Sequence, residues 1–156
     1  MTNIFNSDLE NTRRLTILLD SFDAPQSLDM LYISDFMAVY GKDFKVSRNN
    51  LNGNNIYKYS ILASRRVSVK EALDSLISNG YAAPESSSRG FVYRITTEGK
   101  EYSGSLSSRY AEKYRRTAQV LIRKLGSVDE IKLAEYIYSL SVKGSKKGVF
   151  KWEDLT

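Results

Sequence analysis

The sequence predicts a mainly α-helical protein with a small β-hairpin, arranged as a winged helix-turn-helix core flanked by N- and C-terminal helices. Three observations predict this fold: apolar residues at helical spacing, serines at the positions of helix N-caps, and one pair of short strand-like segments. The chain has 156 residues, 42% hydrophobic and 26% charged, which is typical of one globular domain. We therefore expect a single winged-helix domain over residues 1–144 and a basic, aromatic tail over 145–156.

The N-terminal helices are expected within residues 7–41. Ser7 and Glu10 have the spacing of a capping box, in which each side chain bonds a backbone N–H of the first turn. Ser27 is the expected cap of a second helix, which runs from Leu28 to Tyr40. Two helices should therefore precede the winged-helix core.

The second helix is apolar around most of its circumference, which predicts that it is buried or lies between protein partners. Met30, Phe36 and Met37 are the candidate interface residues on it. The segment that follows, Gly41 to Asn55, is rich in asparagine. We expect it to be a long loop that contributes nothing to the core.

Two helices are expected at the start of the winged-helix region, which covers residues 57–104. Tyr57 to Ser64 predicts a short helix. Ser68, with Glu71 three residues later, has the capping-box spacing of a second helix that ends at Asn79-Gly80. The residues between them would form the turn of a helix-turn-helix.

A hairpin should follow these helices. Strands are expected at 81–84 and 91–96, around a turn at 85–90, and Thr97 would cap a short helix. Helix, turn, helix, hairpin and helix is the order of a winged helix-turn-helix.

The C-terminal helices are expected over residues 107–143. Ser107 would cap a long helix, and Ser127 would cap the last one. The residues expected to face inward on the last helix are Ile131, Ala134, Ile137 and Tyr138. In the tail, Phe150 and Trp152 are candidate anchors to a partner.

The composition excludes several kinds of chemistry. The chain has no cysteine and no histidine, which rules out disulfides, Cys/His zinc sites and histidine-dependent catalytic triads. Asp29 and Asp35 lie six residues apart and do not face one another, so solvated surface is the expected role of both. We expect no catalytic activity and no cofactor or metal. Without an apolar run of membrane length or a signal-peptide pattern, we expect a cytoplasmic protein with no membrane contact.

Positive charge is concentrated in one predicted helix. The whole chain carries a net charge of +5, and residues 106–125 alone account for the same net value. Nucleic-acid phosphates and an acidic protein partner would both suit such a segment, and the sequence leaves both possibilities open. The basic residues of this helix are Arg109, Lys113, Arg115, Arg116, Arg123 and Lys124.

The winged helix offers a second candidate contact with DNA. Arg65 and Arg66 could meet phosphates, Lys70 projects from the recognition helix, and Arg89 lies at the wing tip. The projecting face of that helix carries two carboxylates against Lys70, however. A face of net negative charge favours protein contact over base reading.

Several stretches of the chain resemble one known family. The sequence is similar to the middle component of bacterial ABC-three-component systems, the group that includes the small subunit of Lamassu-type anti-phage defence. The resemblance covers residues 9–142. The stretches that carry it are Ser27–Asp35, Ser64–Leu73, Leu76–Tyr81, Gly90–Thr96 and Ser105–Tyr110.

The resemblance implies a non-catalytic adaptor subunit. It would bridge an SMC-like ABC ATPase and an effector, a nuclease or a protease, in a complex that could contact double-stranded DNA. ATP and Mg²⁺ would bind the partner ATPase. The alternative is a homodimeric winged-helix transcription regulator of the MarR or PadR type, since the same helix and hairpin pattern occurs in those repressors.

Overall fold

The computed structural model describes residues 8–143 and 149–155. Within these residues it is mainly helical with one antiparallel hairpin, which confirms the predicted fold class. The elements are α1 (Asp8–Ser21), α2 (Leu28–Val39), α3 (Leu62–Ser78), β1 (Ala82–Ser87), β2 (Gly90–Ile95), α4 (Thr97–Ser105), α5 (Arg109–Leu125) and α6 (Glu130–Lys143). One-turn 3₁₀ helices lie at Lys58–Ile61 and Trp152–Leu155.

Helix α2 lies at the centre of the molecule, because α1, α3, α5 and α6 all pack against it. The Ser27 side chain caps it as predicted, accepting a hydrogen bond from Met30 N at 3.1 Å. Every residue from Met30 to Val39 is buried. Of the two predicted alternatives for this helix, burial in the core and a position between protein partners, the structure therefore supports burial. The assignment of Met30, Phe36 and Met37 to a protein interface is wrong, because all three belong to the core.

The asparagine-rich segment 41–55 contributes to the core, contrary to expectation. Phe44 and Val46 are buried, and the Phe44 ring packs edge-on against Phe36 at a centroid distance of 5.7 Å. The Asn50 side chain accepts hydrogen bonds from Lys42 N and Asp43 N, so it satisfies backbone groups that the turn leaves unpaired. The segment is therefore an ordered set of turns that two apolar side chains anchor.

The predicted turn inside the helix-turn-helix is absent. A 3₁₀ turn leads directly into α3, which continues through Ser68 for 17 residues. No glycine or proline interrupts residues 62–78, and Arg65, Val69 and Leu73 are buried on one helical face. This packing overrides the local capping signal at Ser68. The winged-helix assignment itself stays a prediction.

The hairpin follows α3 as predicted, but its first strand is longer than expected and its second strand begins one residue earlier. Ala82 pairs with Ile95 and Ser87 with Gly90, which leaves a two-residue turn. Gly90 has φ +105°, a conformation that glycine adopts readily. Helix α4 begins one residue earlier than expected, since the Thr96 hydroxyl accepts the bond from Gly99 N.

The two C-terminal helices have different caps from those predicted. Ser108, not Ser107, caps α5, and Asp129, not Ser127, caps α6 by accepting from Lys132 N at 3.0 Å. Only part of the predicted inward face of α6 is correct. The buried residues there are Leu133, Ile137 and Leu140, whereas Ile131 and Tyr138 are exposed. The predicted Ser7 cap lies outside the described residues.

The described part of the tail packs on the body of the protein. The Phe150 ring contacts the Phe44 ring at a centroid distance of 5.0 Å, and Trp152 Nε1 donates to Phe44 O at 2.9 Å. Phe150 and Leu155 are buried. Phe150 and Trp152 therefore anchor the tail to its own chain instead of to a partner.

Candidate functional site

The strongest concentration of exposed positive charge lies along α5. Arg109, Lys113, Arg116 and Arg123 are all exposed, and their spacing places them within an arc of about 80° on a helical wheel. From Arg109 to Arg123 the stripe spans about 21 Å of helix. Within residues 8–143 and 149–155, no carboxylate forms an ion pair with any of the four. We call these four residues the basic stripe.

The other two predicted cations of α5 have internal roles. Arg115 pairs with Glu112 and donates to Ser103 O at 2.7 Å and Leu106 O at 3.2 Å, so it binds carbonyls at the end of α4. Lys124 Nζ lies 5.6 Å from the centre of the Trp152 ring. Arg115 therefore links α5 to the end of α4 and stabilises the fold, a role that the sequence pattern did not reveal.

A cavity of about 410 Å³ opens between the basic stripe and the preceding loop. Residues 46–51 form one wall, and Lys113, Arg116, Thr117 and Val120 form the other. Arg48 adds a third cation to Lys113 and Arg116, and no carboxylate lies in the lining within residues 8–143 and 149–155. Sequence reasoning missed Arg48, because it lies in a segment that is predicted to be a long loop with no part in the core.

Close packing holds this loop against α5. A methyl group at Gly41 would lie 2.3 Å from Ser47 Oγ and 2.9 Å from Thr117 Cγ2, so the absence of a side chain permits the approach. Val46 N and Ser47 N both donate to Gly41 O, at 2.8 and 3.2 Å. Asn50 Nδ2 also donates to Asp43 Oδ2 and Asn54 Oδ1. Hydrogen bonds before and after Arg48 along the loop therefore hold this cavity wall in place.

A buried ionic cluster lies at the junction of α1, α2, α3 and α5. Asp35 accepts from Arg14 Nε at 3.0 Å and from Tyr114 Oη at 2.8 Å, and it also pairs with Arg65. Asn11 Oδ1 accepts from both guanidinium groups. The expectation of a solvated Asp35 is wrong, and Arg65 is buried in this cluster instead of available to a phosphate.

The charges of this cluster stabilise one another. Burial by itself would raise the pKa of Asp35, but the guanidinium groups of Arg14 and Arg65 hold it well below its usual range. Burial, and the neighbouring carboxylate of Asp35, raise the pKa of Tyr114 well above its usual value. At neutral pH the cluster therefore contains two cations, one anion and a neutral tyrosine.

The cations predicted on α3 and the hairpin each have an acidic neighbour. Arg66 Nε lies 3.2 Å from Asp29 Oδ1, and Lys70 Nζ lies 2.8 Å from Asp74 Oδ2. Arg89, at the hairpin turn, lies 3.8 Å from Asp129 Oδ1. This surface is close to electrically balanced, in contrast to the basic stripe.

No described helix combines the length and the apolar character needed to cross a membrane. Among the same residues, no group of three or more acidic side chains is placed to hold a metal ion.

Comparison with known proteins assigns the chain to a family. No curated protein and no solved structure matches it. A family model does match, over residues 4–147, and its description is ABC-three component (ABC-3C) system Middle Component 2. The match covers most of the chain and includes all six α-helices and both strands described above, so the suspected middle-component identity is confirmed. The chain therefore belongs to the middle component 2 family of ABC-three-component systems.

Proposed function

We propose that this middle component is a non-catalytic, cytoplasmic adaptor. It joins an SMC-like ABC ATPase to an effector, a nuclease or a protease, in an anti-phage defence complex that contacts double-stranded DNA. Membership of the family supports a role beside the other components of an ABC system. The lack of histidine and cysteine supports a subunit that leaves the chemistry to its partners.

The basic stripe on α5 carries the proposal of DNA contact. It presents four exposed cations without carboxylate partners in the described part of the chain, over about 21 Å of helix. That length corresponds to the rise of about six base pairs along the axis of a DNA duplex. Arginine and lysine that meet only phosphates position a protein on the duplex without reading its sequence. We therefore expect binding that depends on salt and hardly on sequence.

Exposed apolar residues support an adaptor role. On α6, Ile131, Tyr138 and Val142 lie on one helical face, and all three are exposed. Exposed apolar side chains that share one side of a helix are typical of a surface that another protein covers. The family assignment makes another component of the same system the expected occupant.

The transcription-regulator alternative has weaker support. A MarR-like or PadR-like regulator would read bases with α3 and contact phosphates from the hairpin turn. Here Arg66, Lys70 and Arg89 all face carboxylates of the same chain. These neighbours reduce the attraction of α3 and the hairpin for phosphates.

Co-expression with the two other components of an ABC-three-component system tests the proposal. We expect one complex on size-exclusion chromatography, with DNA affinity that is equal for unrelated duplexes and falls steeply with salt. Failure of the three components to associate would overturn the adaptor role. A homodimer of this chain that binds one specific duplex would favour the regulator instead.

A further inference from the structure

The cavity between the loop and α5 has the chemistry of an anion site. Arg48, Lys113 and Arg116 line it together, and none of the described residues in its lining carries a carboxylate. Three like charges around one concavity repel one another, and a bound anion would remove that repulsion.

Uncharged donors are also present in the loop that lines this cavity. In the part of the chain that the structure describes, the backbone N–H groups of Arg48, Asn49 and Asn50 donate to no acceptor, whereas those of Val46, Ser47 and Leu51 do. Consecutive backbone N–H groups without partners are a common component of phosphate and other anion sites. The loop therefore adds neutral donors to the three cations.

The loop is held in place without any ligand. Asn50 is buried, and its side chain is hydrogen-bonded to Lys42, Asp43 and Asn54. Leu51 N donates to Val39 O at 2.9 Å, which ties the far end of the loop to the end of α2. Because the loop is already ordered, binding of an anion would carry little further free-energy cost for ordering it.

The lining and its surroundings favour a phosphate of a nucleic-acid backbone over a free nucleotide. Among the described residues, no aromatic side chain lines the cavity, which therefore offers no surface of the kind on which bases usually stack. Arg109 lies one turn before Lys113, and Arg123 two turns after Arg116, so the charge continues beyond both ends of the cavity.

We infer that this cavity is a docking site for one phosphate group of double-stranded DNA, held by Arg48, Lys113 and Arg116 together with the backbone of residues 48–50. The inference rests on the proposed DNA contact and goes further, because it assigns a defined site to a loop outside α5. The remaining residues of the stripe contribute attraction on either side of it.

Arg48→Ala in the full chain tests the site, since Arg48 is exposed and belongs to the loop alone. Lys132→Ala is the matched control, because it removes one exposed positive charge far along the sequence, on α6. Binding of a labelled 20-base-pair duplex would be followed by fluorescence anisotropy at several salt concentrations. For Arg48→Ala we expect about tenfold weaker binding and a salt slope reduced by about 1, with neither change in the control.

Backbone amide NMR shifts distinguish the source of the anion. Duplex DNA, a nucleoside diphosphate and a poly-glutamate peptide would be titrated separately into the full chain. Shifts at residues 48–50 that are largest with the duplex support the site. A response confined to the nucleotide or to the peptide, or no response at all, would overturn it.

The site and the proposed function can fail separately. If Arg109→Ala and Arg123→Ala weaken duplex binding but Arg48→Ala does not, the DNA contact stands and the cavity site is wrong. If none of the three weakens it, both are wrong.

Discussion

Tyr114 Oη donates to Asp35 Oδ1 at 2.8 Å, and both side chains are buried. This bond joins α5, which carries the basic stripe, to the central helix α2. Arg14 of α1 and Arg65 of α3 bind the same carboxylate, so one buried anion connects these two helices as well. Tyr114 lies on the side of α5 opposite the basic stripe. Its bond to Asp35 therefore fixes the rotation of α5 about its axis, and so the direction in which the basic stripe points.

Removal of the Asp35 charge should destabilise the fold strongly. Asp35→Asn leaves two guanidinium groups buried without their anion, and we expect a loss of about 3–5 kcal/mol in the free energy of unfolding. Urea denaturation would measure it. Asp29→Asn, which breaks the exposed pair with Arg66, should cost less than about 1 kcal/mol. Equal effects of the two variants would contradict the importance of the cluster.

Acid should weaken the protein through the same carboxylate. The pKa of Asp35 is lower in the folded state than the unfolded value of about 3.9, so its contribution is complete above that value and is lost as the pH falls below it. Between pH 4 and pH 2, roughly, the free energy of unfolding should therefore drop more steeply in the wild type than in Asp35→Asn. Parallel profiles would show that Asp35 does not carry this dependence.

Arg115 and Arg116 should give opposite phenotypes although they are neighbours. Arg115→Ala removes hydrogen bonds to Ser103 O and Leu106 O and should cost about 1–3 kcal/mol of stability. Arg116→Ala should leave stability within about 0.5 kcal/mol and weaken duplex binding of the assembled complex. Thermal melts and anisotropy titrations on both variants would separate the roles, and a reversed pattern would refute them.

A charge in the buried face of α3 should unfold the protein. Leu73 is fully buried, so Leu73→Asp places a carboxylate in the core without a partner. Val67→Asp is the control on the same helix, because Val67 is 59% exposed. Circular dichroism should show a folded control and an unfolded Leu73 variant, and a folded Leu73 variant would mean that the phase of α3 is wrong.

Gly41 and Gly104 should respond differently to alanine. In Gly41→Ala the new methyl group meets Ser47 and Thr117, and we expect a loss of about 1–3 kcal/mol as the loop moves away from α5. In Gly104→Ala nothing lies within 4 Å of the methyl group, and the helical position should gain about 0.5–1 kcal/mol. A stabilised Gly41→Ala variant would argue against the close packing of the loop.

Local patterns in the sequence accounted for the helices, the hairpin and the charge of the candidate site. Ser27 and Gly126 act at helix ends as their residue types predict, and the stripe from Arg109 to Arg123 follows from helical spacing alone. The errors were also local in origin. Ser68 has the signature of a helix cap but lies inside α3, because buried neighbours on one face extended the helix past it.

Long-range packing decided what local spacing could not. Its spacing from Asp29 predicts that Asp35 is a surface residue. In the folded chain, Arg14 and Arg65 bind it from 21 and 30 residues away. Phe44 and Phe150 look like parts of a loop and a tail, yet they pack on each other. Arg48 joins Lys113 and Arg116 only because Gly41 lets the loop approach α5.

The sequence by itself therefore determined the element types, the family resemblance and the basic helix, because each depends on residues that are close along the chain. Only the tertiary structure decided which charges are buried and which line the cavity. Burial and charge pairing depend on segments that meet after the chain has folded, and helical periodicity carries no information about such partners.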